Sequence, residues 1–111
     1  MTDKEINGFI AEKCLGWKPN GHGGFVSPEY QNSTGIWTCK LPEPLTNADD
    51  LQMCKQAMRE NGWCYVIRFI KRVRVDFWNP ATSPVKFKHK DPDESRAVCL
   101  AIVKALGGAT E

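Results

Sequence analysis

At 111 residues, with 41% hydrophobic and 25% charged side chains, the chain has the size and composition of one folded domain, and its four Trp, five Phe and two Tyr supply core anchors that disordered chains lack. No apolar run approaches the roughly 20 residues that cross a bilayer, no secretory signal follows the mixed-charge start, and five cysteines without a C-x-x-C pair argue against a disulfide framework and for reduced thiols in the cytoplasm. The formal net charge of +2 disfavours large nucleic acid, duplex above all, as a partner.

In chain order, Thr2 is placed to cap a helix running to about Leu15, with Ile6, Phe9, Ile10 and Cys14 at the three-and-four spacing of a buried stripe and Gly16 as its stop. Residues 17–45 are punctuated by Gly and Pro and predict a long ordered loop with short extended pieces at 24–26 and 36–40, held by Trp17, Phe25, Tyr30 and Trp37. Long loops in compact domains are uncommon and often functional. Its Gly21-His22-Gly23-Gly24 run lacks the G-K-[ST] ending of a phosphate loop.

Thr46 or Asn47 then caps a second helix, with Asp49 and Asp50 in its first turn, a Leu51, Cys54, Met58 stripe and a stop at Asn61-Gly62. Residues 63–70, 72–78 and 85–90 are rich in β-branched and aromatic residues or alternate apolar with basic, which predicts three antiparallel strands. The first is apolar on both sides, implying a sheet covered on both faces. Pro92 precedes a third helix at 93–106 that stops at Gly107-Gly108. The expected fold is α+β: a three-stranded antiparallel sheet with helices packed on its faces, an α-β-α sandwich, preceded by the long Gly/Pro-rich loop.

Charge is divided unevenly. Between residues 64 and 90, Arg68, Lys71, Arg72, Arg74, Lys86, Lys88 and Lys90 stand against Asp76, leaving +6 there and −4 on the remainder. On paired strands Arg72 and Arg74 can lie beside Lys86 and Lys88 and build a concentrated positive field. A solvated edge protected by Lys and Arg is the structural alternative. Phe69, Trp78 and Asn79 add a stacking surface and an amide, the parts a nucleotide pocket needs.

Nothing in the sequence carries catalysis. His22 and His89 have no nucleophile-elbow context, the Asp49-Asp50 and Asp93-Glu94 pairs begin helices where dipole stabilisation accounts for them, and no cofactor or metal-ligand spacing occurs. Binding without transformation is therefore the expectation, and the chain is not expected to be an enzyme.

Two stretches, Ile10-Ala11-Glu12-Lys13-Cys14-Leu15-Gly16-Trp17-Lys18 and the 94–106 helix Glu94-Ser95-Arg96-Ala97-Val98-Cys99-Leu100-Ala101-Ile102-Val103-Lys104-Ala105-Leu106, resemble the phage ABA-sandwich domain family over nearly the whole chain. Within it the chain looks most like the first type of Thoeris anti-defence protein, phage sponges that sequester cyclic ADP-ribose signals of TIR-domain enzymes. That resemblance implies a single sequestering domain over residues 1–111, a cyclic ADP-ribose isomer or other cyclic adenine nucleotide as ligand, and a dimer-based homo-oligomer, up to a hexamer. Some members also hold cyclic oligonucleotides of CBASS defence at a separate site. Carried over by position, the binding residues are Phe69, Asn79 and Arg96, beside Arg72 and Arg74 of the basic strands; Lys18 and Lys40 are the cations of the first loop. Each has a structural alternative: Phe69 in the core, Asn79 opening a turn before Pro80, Arg96 paired with Asp93 or Glu94. A second class of function is a phage accessory protein that binds a host or virion protein through the aromatic-rich loop from Trp17 to Trp37; a third is non-specific nucleic-acid binding.

Overall fold

Helix α1, Asp3–Lys13, begins where Thr2 and Glu5 cap one another: the Thr2 hydroxyl accepts the Glu5 N–H at 3.2 Å and the Glu5 carboxylate accepts the Thr2 N–H at 3.3 Å. The computed structural model describes residues 1–21, 24–31 and 39–108, with backbone alone at 30 and 83–85. After α1 come a two-residue strand β1, Lys18–Pro19, its antiparallel partner β2, Phe25–Val26, and a 3-10 turn at Pro28–Tyr30. Of the extended pieces expected between 17 and 45, the first is β2. The second contributes a bridge from Cys39 to Phe25, while Ile36 and Trp37 lie outside the described residues.

Helix α2, Ala48–Glu60, is capped by Asn47, which accepts the Asp50 N–H at 3.0 Å, and it buries Leu51, Cys54 and Met58 as the stripe predicts. Strands β3, Cys64–Ile70, β4, Arg72–Asn79, and β5, Ser83–Asp91, form one sheet in the order β3-β4-β5, antiparallel throughout. Helix α3, Glu94–Ala105, is capped by Asp93, which accepts the Arg96 N–H at 2.9 Å.

All residues of α3 from Ala97 to Val103 are buried, because the helix lies against β4 and β5 and also receives α1 and α2. The sheet face turned to it carries Val73, Val75 and Phe77, fully in the core, with Tyr65 and Ile67 packed beside them. Aromatic pairs, Trp63 edge-on to Phe87 at 6.0 Å and Tyr65 tilted against Phe77 at 5.4 Å, extend this face across all three strands.

The cover expected on both faces is a single cover among the described residues. Cys64, Val66, Arg68 and Ile70 of β3 and Arg72, Lys86, Lys88 and Lys90 of its neighbours are exposed. The apolar residues that implied a second layer stand singly among cations on an edge strand, where exposure of a few apolar side chains is normal. No helix among the described residues is long and apolar enough to cross a membrane.

Candidate anion-binding site

Strand pleating sorts the charges. Alternate residues of a strand face opposite ways and directly paired residues share a face, so Val73, Val75 and Phe77 turn inward and Arg72, Arg74, Asp76 and Trp78 turn outward. The register places Arg68 opposite Arg74, and Arg74 opposite Lys90, giving one outward row of three cations across three strands. The next row reads Val66, Asp76, Lys88, and the one before it pairs Ile70 with Arg72. All seven cations counted between residues 64 and 90 therefore belong to the outer face or to the β3–β4 turn.

At the turn end of that face lies a cavity of about 420 Å³ lined by Arg68, Ile70, Lys71, Arg72, Arg74 and Lys90. Its size falls in the range of small-molecule sites, roughly 300–1,000 Å³. Asp76, only 4% exposed, accepts the Arg74 Nε–H at 3.2 Å. This bond spends one edge of the guanidinium and leaves its terminal nitrogens free to meet an anion. Among the described residues no carboxylate lies within 4.0 Å of the other six cations.

Two features of the site cost stability. Like charges directly opposite on a sheet are unfavourable by roughly 0.2–1 kcal/mol a pair, and the central row contains two such pairs. Lys71, which makes the turn, has φ of +61°, a left-handed conformation that costs a side-chain-bearing residue about 1–2 kcal/mol. A bound anion would offset the first cost; the second falls on Lys71, which lines the cavity.

The other carried-over residues lie elsewhere. Phe69 is 67% exposed, so it is not core; its register partner is Val73, which in turn pairs Asp91. Arg96 reaches Asp91 at 3.6 Å and Asp3 at 3.1 Å, not the local carboxylates. Phe69 and Asp91, the carboxylate that Arg96 reaches, thus share the turn end of the sheet, some two strand spacings or roughly 10 Å apart, but on the inner side. Asn79 is six residues further along β4, roughly 20 Å from that end, and is buried. Its amide donates to the Asn61 carbonyl at 3.2 Å and accepts the Ala81 N–H at 3.1 Å, the turn-opening role, next to Gly62, whose φ of +88° favours glycine. Lys18 is exposed on β1 and does not line the cavity.

Sequence reasoning left Lys71, Arg68, Ile70 and Lys90 out of the site. The parity of the two strands about a one-residue turn would have placed Arg68 and Ile70 with Arg72 and Arg74; the convergence of Lys90 needs the β4–β5 register.

Away from the sheet face, each helix contributes one buried thiol to the core. Cys14 donates to the Cys54 carbonyl at 3.7 Å, the Cys54 thiol is pushed up by its contact with Cys14 and by burial, and burial pushes Cys99 up to about 12. Raised and buried in this way, the Cys54 and Cys99 thiols are inert. Among the described residues no group of three or more His, Cys, Asp or Glu could hold a metal ion. Comparison of the chain with protein-family models, with curated proteins and with solved structures found no match.

Proposed function

We propose that this chain is a phage anti-defence sponge: it captures, without cleaving, a cyclic ADP-ribose-type signal or another cyclic adenine nucleotide in the cytoplasm of the infected bacterium. The observation that carries the reading is the convergence of Arg68, Lys71, Arg72, Arg74 and Lys90 on one cavity of nucleotide size. Five cations around so small a volume repel one another, and a pyrophosphate is the kind of ligand that relieves them; charge-assisted bonds of this type are each worth about 1.5–3 kcal/mol. The identity of the nucleotide comes from the family resemblance, which also supplies the CBASS cyclic oligonucleotides as a second ligand class.

A dimer-based homo-oligomer completes the reading. Phe69 stands exposed beside the Arg68, Ile70 and Lys71 that line the cavity, and a second subunit seated at this turn would add a stacking ring to the ligand. The outer face itself, at +6, repels its own copy.

Isothermal titration with the cyclic ADP-ribose isomers, followed by recovery of the ligand from heat-denatured protein, tests both halves. Tight binding with ligand of unchanged mass is expected, and the Arg72→Gln variant should bind on the order of 10- to 150-fold more weakly. Flat titrations, or a cleaved product, would end the proposal.

A further inference from the structure

The basic surface does not stop at the cavity. From Arg72 the outward residues of β4 run through Arg74 and Asp76 to Trp78, roughly 20 Å along the strand. Beside them Lys90, Lys88 and Lys86 line β5 on the same face, all three exposed. Trp78 is half-buried at the far end, and the Lys86 ammonium lies 5.1 Å from its ring centroid. The face is thus a flat platform three strands wide, with a basic lane along it and an aromatic ring where the lane ends.

We propose that this platform binds a linear single strand of nucleic acid, its phosphates following Arg72, Arg74, Lys90, Lys88 and Lys86 and one base stacking on Trp78. Open antiparallel sheets bind unpaired bases in this way, by aromatic stacking on the strands with cations along the backbone. Charge complementarity selects the occupant. A second copy would bring the same +6, and an acidic peptide carries no planar group that needs Trp78. A duplex hides its base faces. The small net charge of the whole chain conceals the lane because, among the described residues, Asp76 is the one acid on this face, and Arg74 engages it. The platform shares Arg72, Arg74 and Lys90 with the cavity but does not depend on the cyclic-nucleotide reading.

The test is fluorescence anisotropy of end-labelled dT12 and U12, and of a 12-base-pair duplex, titrated with the full chain between 20 and 300 mM salt. The single strands are expected to bind at low salt, more tightly than the duplex, with tryptophan quenching. The log affinity should fall with log salt by about 0.7 for each phosphate neutralised. Trp78→Ala should weaken binding about 5- to 150-fold, and Trp78→Phe should restore most of it while abolishing the quench. The Lys86→Gln, Lys88→Gln double variant should flatten the salt slope by about 1.4. Both substitutions should leave the heat of cyclic ADP-ribose binding unchanged, whereas Arg72→Gln weakens both ligands, so the two readings fail separately. No anisotropy change at 20 mM salt would overturn the platform. So would equal duplex binding, full affinity in folded Trp78→Ala, or binding of phosphatidylserine vesicles in place of oligonucleotide.

Discussion

The inner and outer faces of the sheet are made from the same three strands and differ in almost every physical respect. Inward, Val73, Val75 and Phe77 are buried against α3, and among the described residues charge meets that face at the β5 edge, where Asp91 and His89 pair Val73 and Val75. Outward, at the alternate positions, a row of three cations runs across the sheet and, among the described residues, Asp76 alone compensates it. One face is arranged to lower the free energy of the folded chain and the other accepts a cost. The lesson is that single-residue alternation divides the strand: the apolar core lies on one parity of β4 and the clustered charge on the other.

The largest effects should come from the inner parity. Phe77 is fully buried at the sheet centre against Tyr65, and Phe77→Ala should cost about 3–5 kcal/mol in urea denaturation. A loss under about 1 kcal/mol would mean that α3 does not close over this face. By contrast Arg72, one parity away and exposed, should leave the denaturation midpoint almost unmoved while lowering anion affinity at least tenfold.

A smaller effect of opposite sign tests the outer row. Arg68 faces Arg74 directly, so Arg68→Thr removes one like-charge pair, puts a residue of good strand propensity in its place, and should raise stability by about 0.2–1 kcal/mol. The same substitution should reduce the thermal stabilisation that added pyrophosphate gives the protein, which mass action ties to occupancy of the site. If Arg68→Thr destabilises the free protein, the row is not under the repulsion that the proposed function needs.

Lys71 sharpens the comparison further, because its strain and its charge can be separated. Glycine adopts φ of +61° without the steric penalty, so Lys71→Gly should hold or raise stability, by up to about 1 kcal/mol, while weakening anion binding. Lys71→Asn, tolerant of the left-handed region, should keep the turn and lose the charge. Unchanged affinity in both variants would remove Lys71 from the cavity.

How much of this could be read from residues alone follows the same division. The alternation of Val73, Val75 and Phe77, the Leu51, Cys54, Met58 stripe, the cap at Thr2 and the cap at Asn47, one of the two residues expected there, are local patterns that appear in the fold where the sequence places them; Asp93, expected inside the third helix, caps it instead. What escaped depends on distant partners. Cys64, Val66 and Ile70 have the composition of a doubly covered strand, yet no second layer reaches them among the described residues. Arg96 passes over Asp93 and Glu94 for Asp3, which is 93 positions away. Asn79 answers to Asn61, 18 positions back. Phe69 alternates in phase with Tyr65 and Ile67 but stands at the strand end, where it is left 67% exposed. The cavity escaped for the same reason: Arg68, Lys71 and Lys90 come together only once the registers of both strand pairs are fixed.

The smallest expected effect concerns His89, an inner-face residue whose burial is incomplete. It pairs Val75 across the ladder, its Nε2 lies 4.0 Å from an Asp91 oxygen, and its Nδ1 is buried without a partner. Desolvation first and then the Lys104 ammonium hold its pKa below the ordinary 6.5, with Arg96 adding to and Asp91 opposing the shift. Between the folded value and 6.5 the unfolded chain therefore binds more protons than the folded one. Stability is fully present above that window, falls as the pH drops through it, and levels off once the folded imidazole is also protonated. Urea melts between pH 7.5 and 5.5 should show this loss in the parent chain and a flatter profile in His89→Gln. The anion site, lined by Arg and Lys and lying on the opposite face from His89, should keep its affinity throughout. A parent profile that is level across the window would place His89 in water, and with it the edge of the inner face.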